Sequence, residues 1–336
     1  MTDYERLESF FTNKEWYDYS GLNLRDSCHR KGFFAKIGPE GHPLDQKMGP
    51  GANFGTCFHA GLAAYYTGWG RLDEQTRRHM AIRAFSTQYA EFDFSDRRGI
   101  VPTNHTLQRG LDILDAYCSQ YIDEDQMLKP IEAELGFAVE ISPEVGEDDF
   151  LPFLFVGSVD GIFDRSYDSK RLPRETKTTG SGAEARLRQL NFDRQPVGYV
   201  TCLRMFPDCA NVDTFIGDVV LIAAQKLEFA RDYFTTNENQ RRSWRRQTIN
   251  KVERWRGLIA RAKGKTINEQ LDIFDQNTSD CFDYGKCPFY DLCDFGISRE
   301  ALLEFEVSTW NPLLKRPPAK TLVQAEGQID SITMSR

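Results

Sequence analysis

Residues 151–163 read LPFLFVGSVDGIF, and residues 174–179 read RETKTT. The first segment is rich in apolar and aromatic residues and short of helix formers, which predicts a β-strand. The second segment predicts another, shorter strand. The polar stretch DRSYDSKR, residues 164–171, lies between them and has the composition of a turn. The sequence therefore predicts two strands of an α/β fold that are joined as a hairpin.

The register of this hairpin follows from its turn. If Asp160 pairs with Glu175, the centre of the turn falls between Tyr167 and Asp168, in the middle of the polar stretch. Side chains alternate between the two faces of a strand, so Glu175 and Lys177 share one face. We therefore expect Asp160, Glu175 and Lys177 to lie together.

Two carboxylates and an amine in one place indicate metal-dependent chemistry. Neighbouring carboxylates repel each other, and a hard divalent cation such as Mg²⁺, which prefers oxygen ligands, removes that conflict. Lys177 beside the cation can orient or help deprotonate an attacking water and can offset charge on the phosphorane, as phosphodiester hydrolysis requires. The alternative is a Glu–Lys pair on the solvent face of a hairpin, with Asp160 in a turn, because D…ExK spacings are common by accident.

The rest of the chain is largely helical by its apolar spacing. Helical patterns cover residues 52–68, 107–121, 184–199 and 241–262. In the last pattern, one buried face is predicted to comprise Trp244, Thr248, Val252, Trp255 and Ile259. We predict a single domain over residues 1–300 with helical insertions. Pro312, Pro317 and Pro318 indicate a weakly ordered tail over residues 301–336.

The hairpin and a pair of downstream residues resemble the motifs of a known family. VGSVDGIFD, residues 156–164, and RETKTT resemble motifs II and III of the RecB-like branch of the PD-(D/E)XK nuclease superfamily. Gln195 and Tyr199 resemble the Q-x-x-x-Y motif of that branch, and residues four apart share a helix face. The resemblance implies a restriction-endonuclease-like core, in which a central mixed sheet is flanked by helices. It also implies a catalytic set: Asp160, Glu175, Lys177, Gln195 and Tyr199.

Two further features concern the same site. Pro196 lacks an amide donor and is best tolerated in a first turn, so we expect a helix to begin close to it. FGTCFHAGLAAYY, residues 54–66, resembles the helix that carries an upstream histidine in this nuclease branch. The resemblance implies that His59 is a metal ligand together with Asp160 and Glu175. Without the resemblance, a lone histidine on an apolar face is expected to be a hydrogen-bonded core residue.

A C-terminal group of cysteines, CFDYGKCPFYDLC, holds Cys281, Cys287 and Cys293. Some members of the same nuclease branch, such as the CRISPR-associated and AddB-type enzymes, bind an iron–sulfur cluster through one cysteine before the core and three after it. The resemblance implies a [4Fe-4S] cluster on these three residues and Cys28. The first gap is longer here than in the usual C-x2-C-x5-C pattern. Such a cluster would fasten the N-terminal segment to the end of the core and close a very long loop.

Other readings of the cysteines are open. Structural zinc is the runner-up, although zinc prefers gaps of two to four residues, and buried cysteines without a metal are the remaining alternative. Cys57, which adjoins His59, is the main rival to Cys28 as the upstream ligand. The cysteines expected in the core are Cys57, Cys118, Cys202 and Cys209.

The formal net charge is −8, but the basic residues are unevenly distributed. From Arg241 to Lys265 there are ten Lys or Arg and a single acid, Glu253. A local basic stripe of this kind can bind phosphates whatever the average charge. We expect Arg241, Arg245 and Arg246 to contact DNA, and the alternative is the solvated face of an amphipathic helix.

No run approaches the eighteen or so apolar residues that a membrane span needs, and the start, MTDYERLESFF, lacks the layout of a secretory signal. We therefore expect a cytoplasmic protein with reduced thiols and no membrane partner. The leading hypothesis is an Mg²⁺- or Mn²⁺-dependent deoxyribonuclease, an exonuclease of recombination, repair or phage replication, with DNA as substrate and a helicase or recombination protein as partner. One alternative is a catalytically inactive iron–sulfur DNA-binding or scaffold protein. Another is a hydrolase of small phosphate esters.

Overall fold

The structure is a computed structural model that describes residues 2–45, 49–95, 100–168, 170–282, 286–307, 311, 313–314, 318 and 320–333. The helices are α1 (Asp3–Phe11), α2 (Tyr19–Ser27), α3 (His29–Lys36), α4 (Pro50–Thr67), α5 (Glu74–Tyr89), α6 (Leu107–Met127), α7 (Ala183–Leu190), α8 (Arg194–Leu203), α9 (Glu238–Ala262), α10 (Ile267–Ile273), α11 (Tyr290–Asp294) and α12 (Arg299–Leu302). The strands are β1 (Trp16–Asp18), β2 (Leu128–Glu132), β3 (Leu135–Ile141), β4 (Phe153–Val159), β5 (Gly161–Arg165), β6 (Arg171–Thr179), β7 (Thr214–Leu221), β8 (Phe229–Thr235), β9 (Lys320–Ala325) and β10 (Gln328–Thr333). Short 3-10 helices span Pro39–Gly41, Thr103–His105, Pro207–Cys209 and Thr278–Cys281.

The chain divides into two compact units, each assembled from three separate segments. Unit 1 comprises Met1–Lys47, Ala138–Gly157 and Arg242–Pro317. Unit 2 comprises Met48–Phe137, Ser158–Arg241 and Pro318–Arg336. Residues 1–300, which the sequence predicts as one domain, therefore contribute to both units.

The sheet of unit 2 has the strand order β2-β5-β6-β7-β8. Its strands pair antiparallel except for β6 and β7, which run parallel. A parallel pair needs a crossover connection, and the segment that holds α7 and α8 provides it. All eight positions of β7 are buried, as expected for a strand that is covered on both faces.

The remaining strands belong to a second sheet, in which β1 pairs in parallel with β4, and β9 and β10 form an antiparallel hairpin. The α/β class predicted from the sequence is confirmed, with two mixed sheets flanked by helices. In the described ranges, no helix combines the length and the apolar character needed to cross a bilayer.

The predicted hairpin is β5–β6, and its predicted register is confirmed. Gly161 pairs with Arg174, which is the register that places Asp160 opposite Glu175. The amide of Asp160 also donates to the carbonyl of Arg174 at 3.1 Å. The segment 151–163, predicted as one strand, is instead two strands, β4 and β5, because the chain bends at Asp160.

Helices α4, α5 and α6 of unit 2 bury an aromatic core. Phe54 of α4 meets Phe85 of α5 edge-on at 5.5 Å between ring centroids, and Phe58 meets Tyr117 of α6 in the same way at 5.7 Å. On another side of α4, a Cβ added at Gly55 would lie 2.8 Å from Oγ1 of Thr178. The missing side chain at this glycine therefore lets α4 approach β6 closely.

A buried ionic network lies in the same unit. Arg231 of β8 donates through Nε to Asp218 of β7 at 2.6 Å and through Nη1 to Asp125 of α6 at 2.8 Å. The hydroxyl of Tyr117 donates to Asp218, and that of Tyr66 donates to Asp125, each at 2.5 Å. Asp218 and Asp125 are 0% and 1% exposed, so their charges are balanced almost entirely by protein groups.

Unit 1 is organised around α9, the helix predicted over residues 241–262. Four residues of its predicted buried face are buried, but Ile259 is 39% exposed and Leu258 takes its place. The period of 3.6 residues does not decide between the two residues, because steps of three and four from Trp255 turn the helix by about 60° and about 40° in opposite directions. Phe274 packs beside Trp255 at 5.2 Å and stacks on Phe33 of α3 at 4.8 Å.

The segment predicted as a weakly ordered tail contains the hairpin of β9 and β10. Along β9, Thr321, Val323 and Ala325 are buried and alternate with partly exposed residues, which is the pattern of a half-buried strand. Pro312 and Pro317 lie outside the described residues.

Candidate active site

Glu175 and Lys177 occupy alternate positions of β6 and form an ion pair, with 2.5 Å between Lys177 Nζ and Glu175 Oε1. The Glu175 side chain is 5% exposed and that of Lys177 is 26% exposed. The carboxylate is thus inside the protein, while the Lys177 side chain is partly exposed. The alternation of a strand explains why the two side chains meet.

Asp160 lies at the bend between β4 and β5, and several groups fix it there. Its Oδ2 accepts a hydrogen bond from the amide of Thr176 at 2.7 Å. Its Oδ1 lies 3.1 Å from Nδ1 of His59. The guanidinium of Arg174 donates to the main-chain carbonyl of Asp160 at 2.9 Å. The bend therefore directs this carboxylate towards the face of β6 that carries Glu175.

His59 reaches the site from α4, one turn after Gly55. The close approach of α4 to β6 at Gly55 brings the imidazole of His59 to Asp160. The family resemblance predicts His59 beside both Asp160 and Glu175. In the structure the imidazole contacts Asp160.

Gln195 and Tyr199 complete a chain of hydrogen bonds that begins at the lysine. Lys177 Nζ donates to Gln195 Oε1 at 2.9 Å, and Gln195 Nε2 donates to the hydroxyl of Tyr199 at 2.7 Å. Helix α8 begins at Arg194, so Pro196 lies in its first turn, as the sequence predicts. The five residues of the predicted catalytic set are therefore brought together in unit 2.

Burial and neighbouring charges shift the pKa values of these groups. Burial raises the pKa of Glu175 to about 7, and the nearby ammonium of Lys177 offsets only part of this effect. Burial also acts to raise the pKa of Asp160, but His59 and Lys177 together outweigh it, so this pKa lies below its ordinary value. The site therefore contains one carboxylate that stays ionised and one whose negative charge is poorly supported by its present neighbours.

Among the residues that the structure describes, no group of three or more His, Cys, Asp or Glu side chains is arranged to hold a metal ion. In the active site, Asp160 is engaged by His59 and by the Thr176 amide, and Glu175 is engaged by Lys177. Metal ligation by His59, Asp160 and Glu175 stays a prediction.

Two residues that support the site were missed in the sequence. Arg174, which is 1% exposed, holds the carbonyl of Asp160, and Asp193 caps α8 by accepting from the amide of Gln195 at 3.0 Å. Both left a signal: an arginine directly before Glu175 must face the opposite side of β6, and an aspartate is a preferred residue at a helix N-terminus.

A sequence model of the PD-(D/E)XK nuclease superfamily matches residues 19–294. The chain belongs to this superfamily. The match includes every residue of the predicted catalytic set, and the resemblance seen in the motifs is confirmed at the level of the superfamily.

Solved structures add distant likenesses to this PD-(D/E)XK protein. One is a protein from Eubacterium rectale described as a candidate exonuclease, with 12% sequence identity over 85% of this chain and 88% of that chain, and a TM-score of 0.44. Another is a protein named SSO0001, with 13% identity over 72% of this chain and 86% of that chain, and a TM-score of 0.33. A comparison with curated proteins finds no match. The superfamily assignment therefore rests on the sequence model.

The cysteines predicted to hold a cluster lie together in unit 1 of this nuclease. One pocket is lined by all four of them: Cys28, Cys281, Cys287 and Cys293. All four are free thiols, and burial raises the pKa of Cys287 and raises that of Cys293 to about 11. The rival ligand, Cys57, lies in the core of unit 2 and is fully buried.

The chain near this pocket is also tied by polar contacts. Arg30 of α3 donates to the carbonyl of Leu271 at 2.7 Å, and Asn277 donates to the carbonyl of Ser27 at 2.8 Å. The amide of Asn277 points at the sulfur of Cys28, 3.4 Å away. Protein groups alone therefore link the early and late segments that the cluster is expected to join. As predicted, the buried cysteines of the core include Cys118, Cys202 and Cys209.

In the basic stripe of α9, one of the three arginines predicted to contact DNA is not accessible. Arg245 is buried, and its Nε and Nη2 each lie 3.0 Å from a carboxylate oxygen of Glu147, so it is not available to a phosphate. This partner is 98 positions away in the sequence, which explains why spacing could not reveal it. Arg241 pairs with Glu238 at 3.0 Å, whereas Arg246 is exposed.

Further cations of the stripe are also paired within unit 1. Lys251 and Arg254 both contact Asp26, at 3.1 and 3.0 Å, and Arg256 contacts Glu15 at 2.6 Å. Much of this positive charge therefore joins α9 to the N-terminal segment. DNA contact by Arg241 and Arg246 stays a prediction.

Proposed function

We propose that this member of the PD-(D/E)XK superfamily is a metal-dependent deoxyribonuclease of the RecB-like branch. The observation that carries the proposal is the convergence of Asp160, Glu175 and Lys177 at the β5–β6 register, with the Gln195–Tyr199 pair hydrogen-bonded to the lysine. An accidental D…ExK spacing would not explain why Gln195, which is hydrogen-bonded to Tyr199, also accepts a hydrogen bond from the amine of Lys177.

The chemistry of the donors fits a divalent cation. Glu175 is buried beside a second carboxylate and has a pKa of about 7, so its charge lacks a sufficient partner. Oxygen ligands of this kind suit Mg²⁺ or Mn²⁺, which supply Lewis-acid activation of a phosphodiester. Asp160 and Glu175 would hold the ion, and His59 is the third candidate ligand.

The protein's own groups have separate tasks in this proposal. Lys177 places a positive charge beside the reacting phosphate and offsets the negative charge that develops there. Gln195 and Tyr199 hold the amine of Lys177 in position through their hydrogen bonds. Arg174 and the Thr176 amide fix the bend at Asp160.

Labelled single- and double-stranded DNA tests the proposal directly. We expect purified protein to cleave DNA with Mg²⁺ or Mn²⁺ and to stop when EDTA is added, because the carboxylates need the cation. DNA binding without cleavage under all metal conditions would favour the inactive scaffold protein. Hydrolysis of p-nitrophenyl phosphate without any action on DNA would favour a small-ester hydrolase.

The mode of cleavage, the cellular process and the protein partner are also part of the proposal. We infer exonuclease action in recombination, repair or phage replication, with a helicase or recombination protein as partner. Cleavage of an end-labelled linear duplex and of a closed circular DNA distinguishes exonuclease from endonuclease action, because an exonuclease leaves the circle intact.

We also propose a [4Fe-4S] cluster on Cys28, Cys281, Cys287 and Cys293. A pocket lined by four free thiols supports this, since iron–sulfur clusters are held by cysteine thiolates. The raised pKa of Cys293 means that binding must displace its proton. The cluster would reinforce the contacts that already join Ser27 and Arg30 to residues 271–277.

Protein purified without oxygen is expected to be brown and to contain about four irons per chain. Replacing Cys28 with Ser should bleach the colour and lower the melting temperature, because a ligand and part of the clamp are lost. Cys57→Ser is the matched control and should retain the iron. If elemental analysis finds zinc and no iron, the iron–sulfur cluster is rejected. If metal is lost only in Cys57→Ser, the upstream ligand is Cys57 and not Cys28.

A further inference from the structure

One aromatic side chain near the candidate active site is almost fully exposed. Phe192 is 83% exposed and lies in the turn between α7 and α8. We propose that Phe192 is a stacking platform for an unpaired nucleobase of the DNA strand being cleaved. This inference rests on the proposed deoxyribonuclease function and adds a subsite to it.

The turn that carries Phe192 is fixed by hydrogen bonds. The amide of Phe192 donates to the carbonyl of Gln189 at 2.9 Å, and the amide of Asp193 donates to that of Leu190 at 3.1 Å. Asp193 then caps α8 through the amide of Gln195. The ring therefore projects from an ordered position, and its exposure is a property of the folded state.

This turn is also close to the catalytic groups. Gln195 is three positions after Phe192 in the chain, so their Cα atoms are at most about 11 Å apart. Gln195 in turn contacts the amine of Lys177 at 2.9 Å. A stacked DNA strand rises about 3.4 Å per nucleotide, so a strand with a phosphate at Lys177 would need only a few nucleotides to reach this turn.

Basic residues lie on both sides of Phe192 in the chain, and the adjacent acid, Asp193, is paired with Arg186 at 3.6 Å. Arg188 and Arg194 flank the ring in the chain, and both are exposed. Proteins that bind single strands combine cations for the phosphates with aromatic rings for the bases. Phe295 of unit 1 provides a contrast, because it is 80% exposed but follows Asp291 and Asp294.

The test measures binding of DNA that contains 2-aminopurine, with Ca²⁺ in place of Mg²⁺ to slow cleavage. Replacing Phe192 with Leu should weaken the binding of single-stranded and frayed-end DNA about tenfold, within the range for loss of one stacked base. The same variant should lose most of the stacking-induced quenching of 2-aminopurine fluorescence. Blunt duplex should bind as it does to the wild type, and Phe192→Trp should restore both signals.

Phe295→Leu is the matched control and should bind every DNA as the wild type does, because the charged residues just before it in the chain, Asp291 and Asp294, are acids. Equal binding and quenching by the wild type and Phe192→Leu would overturn the stacking platform, while cleavage by both would leave the nuclease function intact. A wild type that neither binds nor cleaves DNA would overturn both. Unchanged DNA binding combined with a changed oligomeric state in Phe192→Leu would identify the ring as a protein contact and would also reject the platform.

Discussion

Replacing Lys177 with Ala is expected to reduce DNA cleavage by roughly a hundredfold to a thousandfold, as for other groups that stabilise developing charge. The substitution removes the amine that contacts Glu175 at 2.5 Å and Gln195 at 2.9 Å. Nothing else in the site places a lysine or arginine amine against Glu175 among the described contacts. The loss should appear in the rate of cleavage at saturating DNA, since the lysine acts on the reacting phosphate.

Lys170→Ala is the matched control for this experiment. Lys170 lies just before β6 in the same unit, its side chain is 44% exposed, and its partner is Asp213 at 3.4 Å. We expect this variant to cleave DNA at the wild-type rate, because exposed ion pairs contribute little. Thermal melting of both variants shows whether the fold persists. Cleavage by Lys177→Ala within tenfold of the wild type would remove this lysine from the mechanism.

The parts of the site that the sequence predicted depend on strand alternation, turn composition and helical period, all of which act over a few neighbouring residues. The register of β5 and β6 depends on side-chain alternation and on one polar turn, and both can be read in a few residues around Tyr167. The spacing of Gln195 and Tyr199 depends only on the helical period. Local periodicity therefore placed Glu175 beside Lys177 and Gln195 on the same helix face as Tyr199, whereas the meeting of the two pairs, through Lys177 and Gln195, was implied only by the family resemblance.

The parts that the sequence did not predict depend on partners far apart in the chain. The cations of α9 read as a surface for phosphates, yet Arg245 is neutralised by Glu147 and Arg256 by Glu15. A count of charges along a helix cannot show which acids fold against it. The bend at Asp160 was missed for a similar reason, because only pairing with other strands shows that β4 and β5 enter different sheets.

The buried network of unit 2 was also invisible in the sequence, because its members lie on separate elements. Asp218 and Arg231 are neighbours across β7 and β8, and Asp125 comes from α6. Arg174 joins the network at 3.9 Å from Asp218 and also bonds to the carbonyl of Asp160. The acids of the core and the bend of the active site are thus connected through one arginine.

Replacing Asp218 with Asn is expected to destabilise the fold by about 3–5 kcal/mol, the usual cost of removing one partner of a buried ion pair. Asp218 is 0% exposed and accepts hydrogen bonds from Arg231 and from the hydroxyl of Tyr117. Burial raises the pKa of Tyr117 well above its ordinary value, so this hydroxyl stays protonated and can donate. The amide keeps the shape but leaves two buried guanidinium groups, those of Arg231 and Arg174, without this negative charge. Arg231 then keeps ion pairs with Asp125 at 2.8 Å and with Glu124 at 3.6 Å.

A loss of this size should lower the melting temperature by on the order of 10 °C, which calorimetry can measure. Asp168→Asn is the matched control: Asp168 also pairs with an arginine, Arg165, but it lies in the β5–β6 turn, where water can replace the lost contact. We expect it to melt close to the wild type. Since Arg174 connects the network to Asp160, Asp218→Asn should also cleave DNA more slowly at temperatures where it remains folded. An unchanged melting temperature in Asp218→Asn would mean that the amide satisfies both arginines and that charge in this network is dispensable for stability.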